Sequence, residues 1–337
     1  MKIAVALLAV AVLAYPFVFR EPFPQHLMIL VMLYALLGTA WNLLGGFAGQ
    51  ISLGQAIFFG AGAYTSTLLA QYLGVSPWIG MLAGAACAAV LALAIGYPCF
   101  RLSGHYFAIA TIAIGEIAVI AVTNWEFAGG AVGLFLPVEG GGLAAFRFEG
   151  KRGYYYIMAA LLAVAVAVSI ALRRSRAGYY WRAIREDQAA ARSVGVPALR
   201  YKQLAIAISA AMTAMAGTFY AQYVLFIDPP SVLPLSLSIQ ICLVPVLGGV
   251  GTIVGPLLGA AVLVPLSEAT RVYLGGSGRS LDLVVYGLLI MLIAAFEPAG
   301  LVGLARRLRR TPTSGTPAGP PPTHPDLPSA PASSRTP

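Results

Sequence analysis

Charge is what this sequence has least of. Asp, Glu, Lys and Arg together supply only 10% of its 337 residues, against about 25% in ordinary soluble domains. So little charge cannot cover a soluble surface, which excludes a soluble enzyme or DNA-binding domain, and so much apolar surface excludes a disordered chain. Cysteine is scarce too. Cys87, Cys99 and Cys242 stand apart in apolar segments, with no C-x-x-C pair and no disulfide framework, and read as packing residues. The isolated His26, His105 and His324 cannot assemble a metal site. No Gly-x-x-x-x-Gly-Lys-Ser/Thr phosphate loop occurs, so any ATP hydrolysis belongs to another chain. No Ser/His/Asp or Cys/His arrangement argues for catalysis. The chain reads as a non-enzyme with no cofactor or metal of its own.

Apolar side chains are what it has in abundance, at 59%. A bilayer core about 30 Å thick is crossed by about 20 helical residues at 1.5 Å each. Apolar stretches run over 3–19, 26–45, 55–73, 78–98, 105–124, 154–172, 203–225, 232–249, 253–271 and 281–300. They are continuous, not alternating, which argues against a membrane β-barrel. The first lacks a small-x-small cleavage site before Arg20-Glu21-Pro22 and reads as a retained helix. The expectation is an all-α polytopic membrane protein of about eight to ten transmembrane helices, residues 1–305, followed by a basic and then Pro-rich, disordered tail, 306–337. The Gly-rich connectors 45–54 and 248–255 read as broken or re-entrant segments, which are tolerated at membrane depth only inside protein or along a cavity. Gly45-Gly46-Phe47-Ala48-Gly49 echoes Gly248-Gly249-Val250-Gly251, but glycine abundance explains the match as well as a repeat does.

The net charge of +9 marks loops, not a nucleic-acid partner, because Lys and Arg gather on the cytoplasmic side of membrane proteins. If every stretch crosses, Lys2, Arg101, the basic residues of 173–202, the Arg306 to Arg310 cluster and Arg335 share one side. Arg20, Arg147, Lys151, Arg152, Arg271 and Arg279 form the smaller set opposite, which places both termini in the cytoplasm. The long, Gly-rich outer loop 125–153 is a plain loop or a partner surface.

Two regions could carry function. The basic loop 173–202 holds Trp181-Arg182-Ala183-Ile184-Arg185, which can begin a short amphipathic helix with Trp181, Ile184 and Val194 as apolar anchors. Ala189, Ala190 and Ala191 favour helix, and Gly195 followed by Pro197 stops it. Such a helix is either an anchor along lipid headgroups or a docking element for a cytoplasmic partner. At membrane depth, Gln50, Ser52 and Gln55 lie among glycines and either line a path for a zwitterionic solute or satisfy irregular backbone. Glu116 falls midway along 105–124. A carboxylate there costs about 3 kcal/mol on insertion scales, so it should face the bundle interior or a wet cavity. It would bind a substrate ammonium or bond a neighbouring helix, with Tyr106 and Thr111 as further candidates.

These blocks carry a family resemblance. Ala190-Ala191, a short spacer and Gly195 resemble the coupling loop of ABC importer permeases. Trp181 to Asp187, Tyr201-Lys202, Ala216-Gly217, the run Asn42 to Ala56, Gly104 to Thr111 with Gly115-Glu116-Ile117, and Gly248 to Thr252 with Gly255-Pro256 resemble the LivM-type permease subunit of branched-chain amino-acid ABC transporters. The resemblance covers roughly residues 25–305. The acidic residue that opens the general loop motif is Ala189 here, with Glu186 and Asp187 just upstream.

The resemblance implies a bacterial-type plasma (inner) membrane and a second homologous permease subunit. It also implies two cytoplasmic ATP-binding subunits, which hold ATP and Mg, and an extracytoplasmic solute-binding protein. The implied activity is alternating-access import of leucine, isoleucine and valine. Trp181, Arg182, Arg185, Glu186, Asp187, Ala190, Ala191 and Gly195 would form the ATPase-coupling loop, with Arg185, Glu186 and Asp187 pairing across that interface. Permeases for urea, short amides or other amino acids share the same blocks. An ion-coupled secondary transporter would need more midplane ionisable groups than Glu116.

Overall fold

The computed structural model describes residues 14–19, 21–102, 104–136, 142, 146–148, 150–273, 287 and 300–309. The 281–300 stretch, the Pro-rich tail and most of the 3–19 stretch lie outside them. Described helices are α1 Pro22–Asn42, α2 Gln55–Leu73, α3 Pro77–Cys99, α4 His105–Thr123, α5 Lys151–Arg174, α6 Arg176–Glu186, α7 Gln188–Ser193, α8 Ala198–Val224, the short α9 Pro229–Val232, α10 Leu235–Gly248, α11 Gly255–Tyr273 and α12 Gly300–Arg309. The only described strands, β1 Leu134–Phe135 and β2 Phe226–Ile227, pair antiparallel with Leu134 opposite Ile227. The fold is all-α. Six segments are long and apolar enough to cross a membrane: Pro22–Phe47, Pro77–Cys99, His105–Thr123, Lys151–Arg174, Ala198–Val224 and Pro229–Gly248. α2 has the length of a span, but Gln55, Tyr64, Thr65, Ser66, Thr67 and Gln71 make it too polar to join them.

α1 is the central post. In its most apolar window 78% is buried inside the protein, against 11% for α4. α3 carries small residues every fourth position, with Gly80, Gly84, Ala88, Ala92 and Gly96 buried on one face. Such a stripe lets helix backbones approach closely in lipid, where burial of apolar surface drives little association. Gly62 of α2 lies against the backbone of Ala214 in α8, and a Cβ at Gly84 would stand 3.2 Å from the Gly62 Cα. The α2–α3–α8 layer is packed through backbone.

Contacts at helix ends fix the two faces of the bundle. On one, Lys151 donates to the Pro22 carbonyl (3.2 Å), His26 bonds the Tyr223 hydroxyl, and Tyr72 stacks on Phe127 (4.7 Å). On the other, Phe100 stacks on Phe107 (5.0 Å), Asn42 meets Gly251 and Thr252, and Gly300 abuts Leu247 and Gly249. α6 and α7 lie on this second face, with Arg101 and the basic residues of 173–202.

Candidate functional site

The functional site grows from the end of α1. There the helix widens into a π-turn, Leu43–Phe47, whose Gly45 lets the Trp41 ring lie across it. Residues 48–54 then run back into the bundle. Trp41 Nε1 donates to the Ser52 carbonyl (2.7 Å), and Leu53 N–H donates to Thr111 Oγ1 (3.0 Å) on α4. Within this segment Ala48, Ser52 and Gly54 are buried by protein, while Gly49 and Ile51 are exposed.

The second Gly-rich segment meets the first in space. Asn42 Nδ2 donates to the Thr252 carbonyl, and its Oδ1 accepts from Gly251 N–H, both at 2.8 Å. A Cβ at Gly46 would stand 2.7 Å from Gly251 N, so the approach requires glycine. The sequence echo is thus a spatial junction, whether or not it is a repeat.

Arg185 of α6 plugs this junction. Its Nη1 donates to the Gly46 carbonyl at 2.6 Å, and its side chain lies against Gly49 and Gly251. A charge-assisted hydrogen bond of this kind is about twice as strong as a neutral one. Arg185 is exposed, and one of its guanidinium donors is used within its own chain. Asp187 is likewise engaged locally. Its Oδ1 accepts from Ala189 N–H (2.7 Å) and Ala190 N–H (3.0 Å), capping α7. The single amphipathic helix expected from Trp181 is therefore two helices, broken at the Asp187 cap.

Trp181 is fully buried and donates from Nε1 to the Tyr201 carbonyl (2.8 Å), and Ile184 is buried beside Ala191 and Ala198. These anchors grip protein, not lipid headgroups. Val194, the third expected anchor, is 80% exposed, because α7 ends there and Gly195, at φ +88°, turns the chain away. Ala191 is buried, while Arg182, Glu186, Asp187, Ala190 and Gly195 are exposed.

The residues expected along a translocation path separate. Gln50 Oε1 accepts from Lys202 Nζ (3.0 Å), which also donates to Gln188 Oε1 at the start of α7. Ser52 is buried, and its Oγ accepts from Gly54 N–H (3.3 Å). Gln55 is fully buried. Its Nε2 donates to Ser209 Oγ (2.8 Å), which in turn donates to the Ala40 carbonyl (2.7 Å), while Gln55 Oε1 has no partner. Thr111 Oγ1 also donates to Ala108 (2.8 Å). Tyr106, 70% exposed, lies apart from these. Glu116 is exposed on the outside of this chain and so is not in its own bundle interior, one of the two settings expected for it. The reason is that α4 is seated by Phe107 and Thr111, and position 116 is rotated off that face.

Asn42, Gln188, Lys202 and Ser209 belong to the site but were not among the candidates. A lysine near the start of α8, 97% enclosed by protein, ties Gln188 of α7 to the Gln50 segment. Its signal in the sequence is the last charge before the apolar stretch 203–225, which also reads as a helix end.

The family model described as "Branched-chain amino acid transport system / permease component" matches residues 23–294. The chain is 32% identical over 325 residues to the high-affinity branched-chain amino acid transport system permease protein LivM of Escherichia coli (strain K12), covering 90% of this chain and 75% of the relative. It is 32% identical to LivM of Salmonella typhimurium, covering 89% and 74%. It is 26% identical to E. coli LivH, a second permease protein of that system, covering 80% and 91%. No solved structure matches. This multi-pass membrane protein belongs to the branched-chain amino acid transport system permease family.

Proposed function

We propose that the chain is one of two permease subunits of an ATP-driven importer for leucine, isoleucine and valine. A second, homologous permease, two cytoplasmic ATP-binding subunits carrying ATP and Mg, and an extracytoplasmic solute-binding protein complete the complex. The basic face lies in the cytoplasm of a bacterial-type plasma membrane, following the distribution of Lys and Arg, with both termini on that side.

The observation that carries the mechanism is the seating of Arg185 in the junction of the two Gly-rich segments. The exposed surface of α6–α7, including Arg182, Glu186, Ala190 and Gly195, meets the ATP-binding subunit. When nucleotide closes that subunit pair, α6 moves. Arg185 transmits the movement to the end of α1 and to the segment that starts α11, and Lys202 transmits it to Gln50. The helices then alternate between outward and inward openings, and Ser52, Gln55 and Thr111 stand where the irregular segment 48–54 borders the path. Small-xxx-small packing makes α2, α3 and α8 a unit that moves together.

Uptake of labelled leucine into membrane vesicles holding the assembled complex tests this reading. Leucine is expected to enter only with hydrolysable ATP, and an ATPase-dead partner is expected to abolish entry. Urea uptake in place of leucine would overturn the substrate, and leucine uptake with the dead ATPase would overturn the mechanism.

A further inference from the structure

α4 is apolar yet barely covered. Its mean hydropathy is 2.0, and only 11% of its span is buried in the chain. Ile109, Ala113, Glu116, Ile117, Ile120 and Ala121 are all exposed, with Ile109, Ile117 and Ile120 each more than 60% open. Their spacing of four, three, one, three and one residues puts them on one helical face. Ala113 and Ala121 alternate with Ile109 and Ile117 along the four-residue row, leaving notches of the kind a packed helix fills.

Glu116 decides what covers this face. At 1.5 Å per residue it lies about 16 Å from the start of α4 and about 10 Å from its end, so it sits deep in the bilayer. A carboxylate there avoids hydrocarbon. Among the described residues none donates to it, so what faces it must supply donors, which lipid tails cannot; the apolar Ile109, Ile117 and Ile120 around it favour a packed helix over open water. The α11–α12 end of this chain is held elsewhere, packed on α1 and α10. We propose that this face docks a transmembrane helix of the second permease subunit, and that Glu116 pairs with a hydrogen-bond donor or cation on that helix. The inference rests on the permease-pair reading above.

A photo-cross-linking residue at Ile109 or Ile117, with a control at exposed Val90 of α3, tests this in membranes holding the full complex with differently tagged permeases. Cross-links to the second permease from Ile109 and Ile117 but not from Val90 are expected. Adducts only to lipid or within the same chain, or equal cross-linking from Val90, would overturn the proposal while the pair still co-purifies. Failure of the two permeases to co-purify at all would overturn the permease-pair reading itself. Glu116→Leu is expected to lower recovery of the pair at least fivefold at unchanged membrane abundance, with Glu116→Gln restoring most of it. Full recovery with Glu116→Leu would remove the carboxylate from the interface.

Discussion

Arg185 and Lys202 are cations through which loop 173–202 holds the end of α1 and the segment after it. Arg185 bonds a backbone carbonyl that no other described donor reaches by side chain, so Arg185→Ala frees α6 from the end of α1 without unseating Trp181. Lys202 bridges two amide oxygens, and its loss leaves them without their donor at about 1–3 kcal/mol for each that stays buried. Lys202→Met is therefore expected to loosen segment 48–54. In a cysteine-free background, thiol labelling of Ser52→Cys, at a position only 1% exposed, should accelerate at least tenfold when Lys202→Met is added. An unchanged rate would mean that Gln50 is held by its own backbone contacts. Asp187→Ala removes the α7 cap and should cost about 1 kcal/mol, read as a lower unfolding midpoint of the purified complex. The importance of these residues was only partly legible. Residue type and spacing singled out Arg185 and Asp187 as charges near a docking helix. Whether a charge turns inward or outward depends on tertiary neighbours 139 residues away in the case of Gly46, and the local pattern carries no trace of them.

At the scale of elements, glycines divide by what surrounds them. Gly46 touches Asn42 and the Gly251 backbone, whereas a Cβ at Gly195 would meet nothing within 4 Å. Gly46→Ala should thus separate the two Gly-rich segments and lower uptake tenfold or more. Gly195→Ala bears only left-handed backbone strain of about 1–2 kcal/mol and should retain a large share of uptake. Equal loss in both would show that the junction is not the sensitive element. Long apolar helices were legible because about 20 apolar residues have few other uses, and α3 and α4 lie close to the expected 78–98 and 105–124. The Gly-rich connectors were legible as irregular, since repeated glycine favours no regular element. Their meeting at Asn42 was not, because it joins positions more than 200 residues apart. Glu116 shows the complementary failure. Insertion energetics states that a carboxylate must be covered, but not whether its own chain provides the cover.

For the molecule as a whole, the proposed mechanism is a lever, α6–α7, whose fulcrum is the buried Trp181 and whose load is the Gly46–Gly251 junction. A lever that loses its load still moves, so ATP turnover and transport should come apart. The most direct measurement is leucine taken up per ATP hydrolysed by the reconstituted complex, comparing the natural chain with Arg185→Ala. The expected result is ATP hydrolysis within about twofold of the natural complex, with leucine uptake at least tenfold lower, each 1.4 kcal/mol of lost coupling being a factor of ten. An Arg185→Ala complex that imports leucine at the natural ratio to ATP would contradict the account.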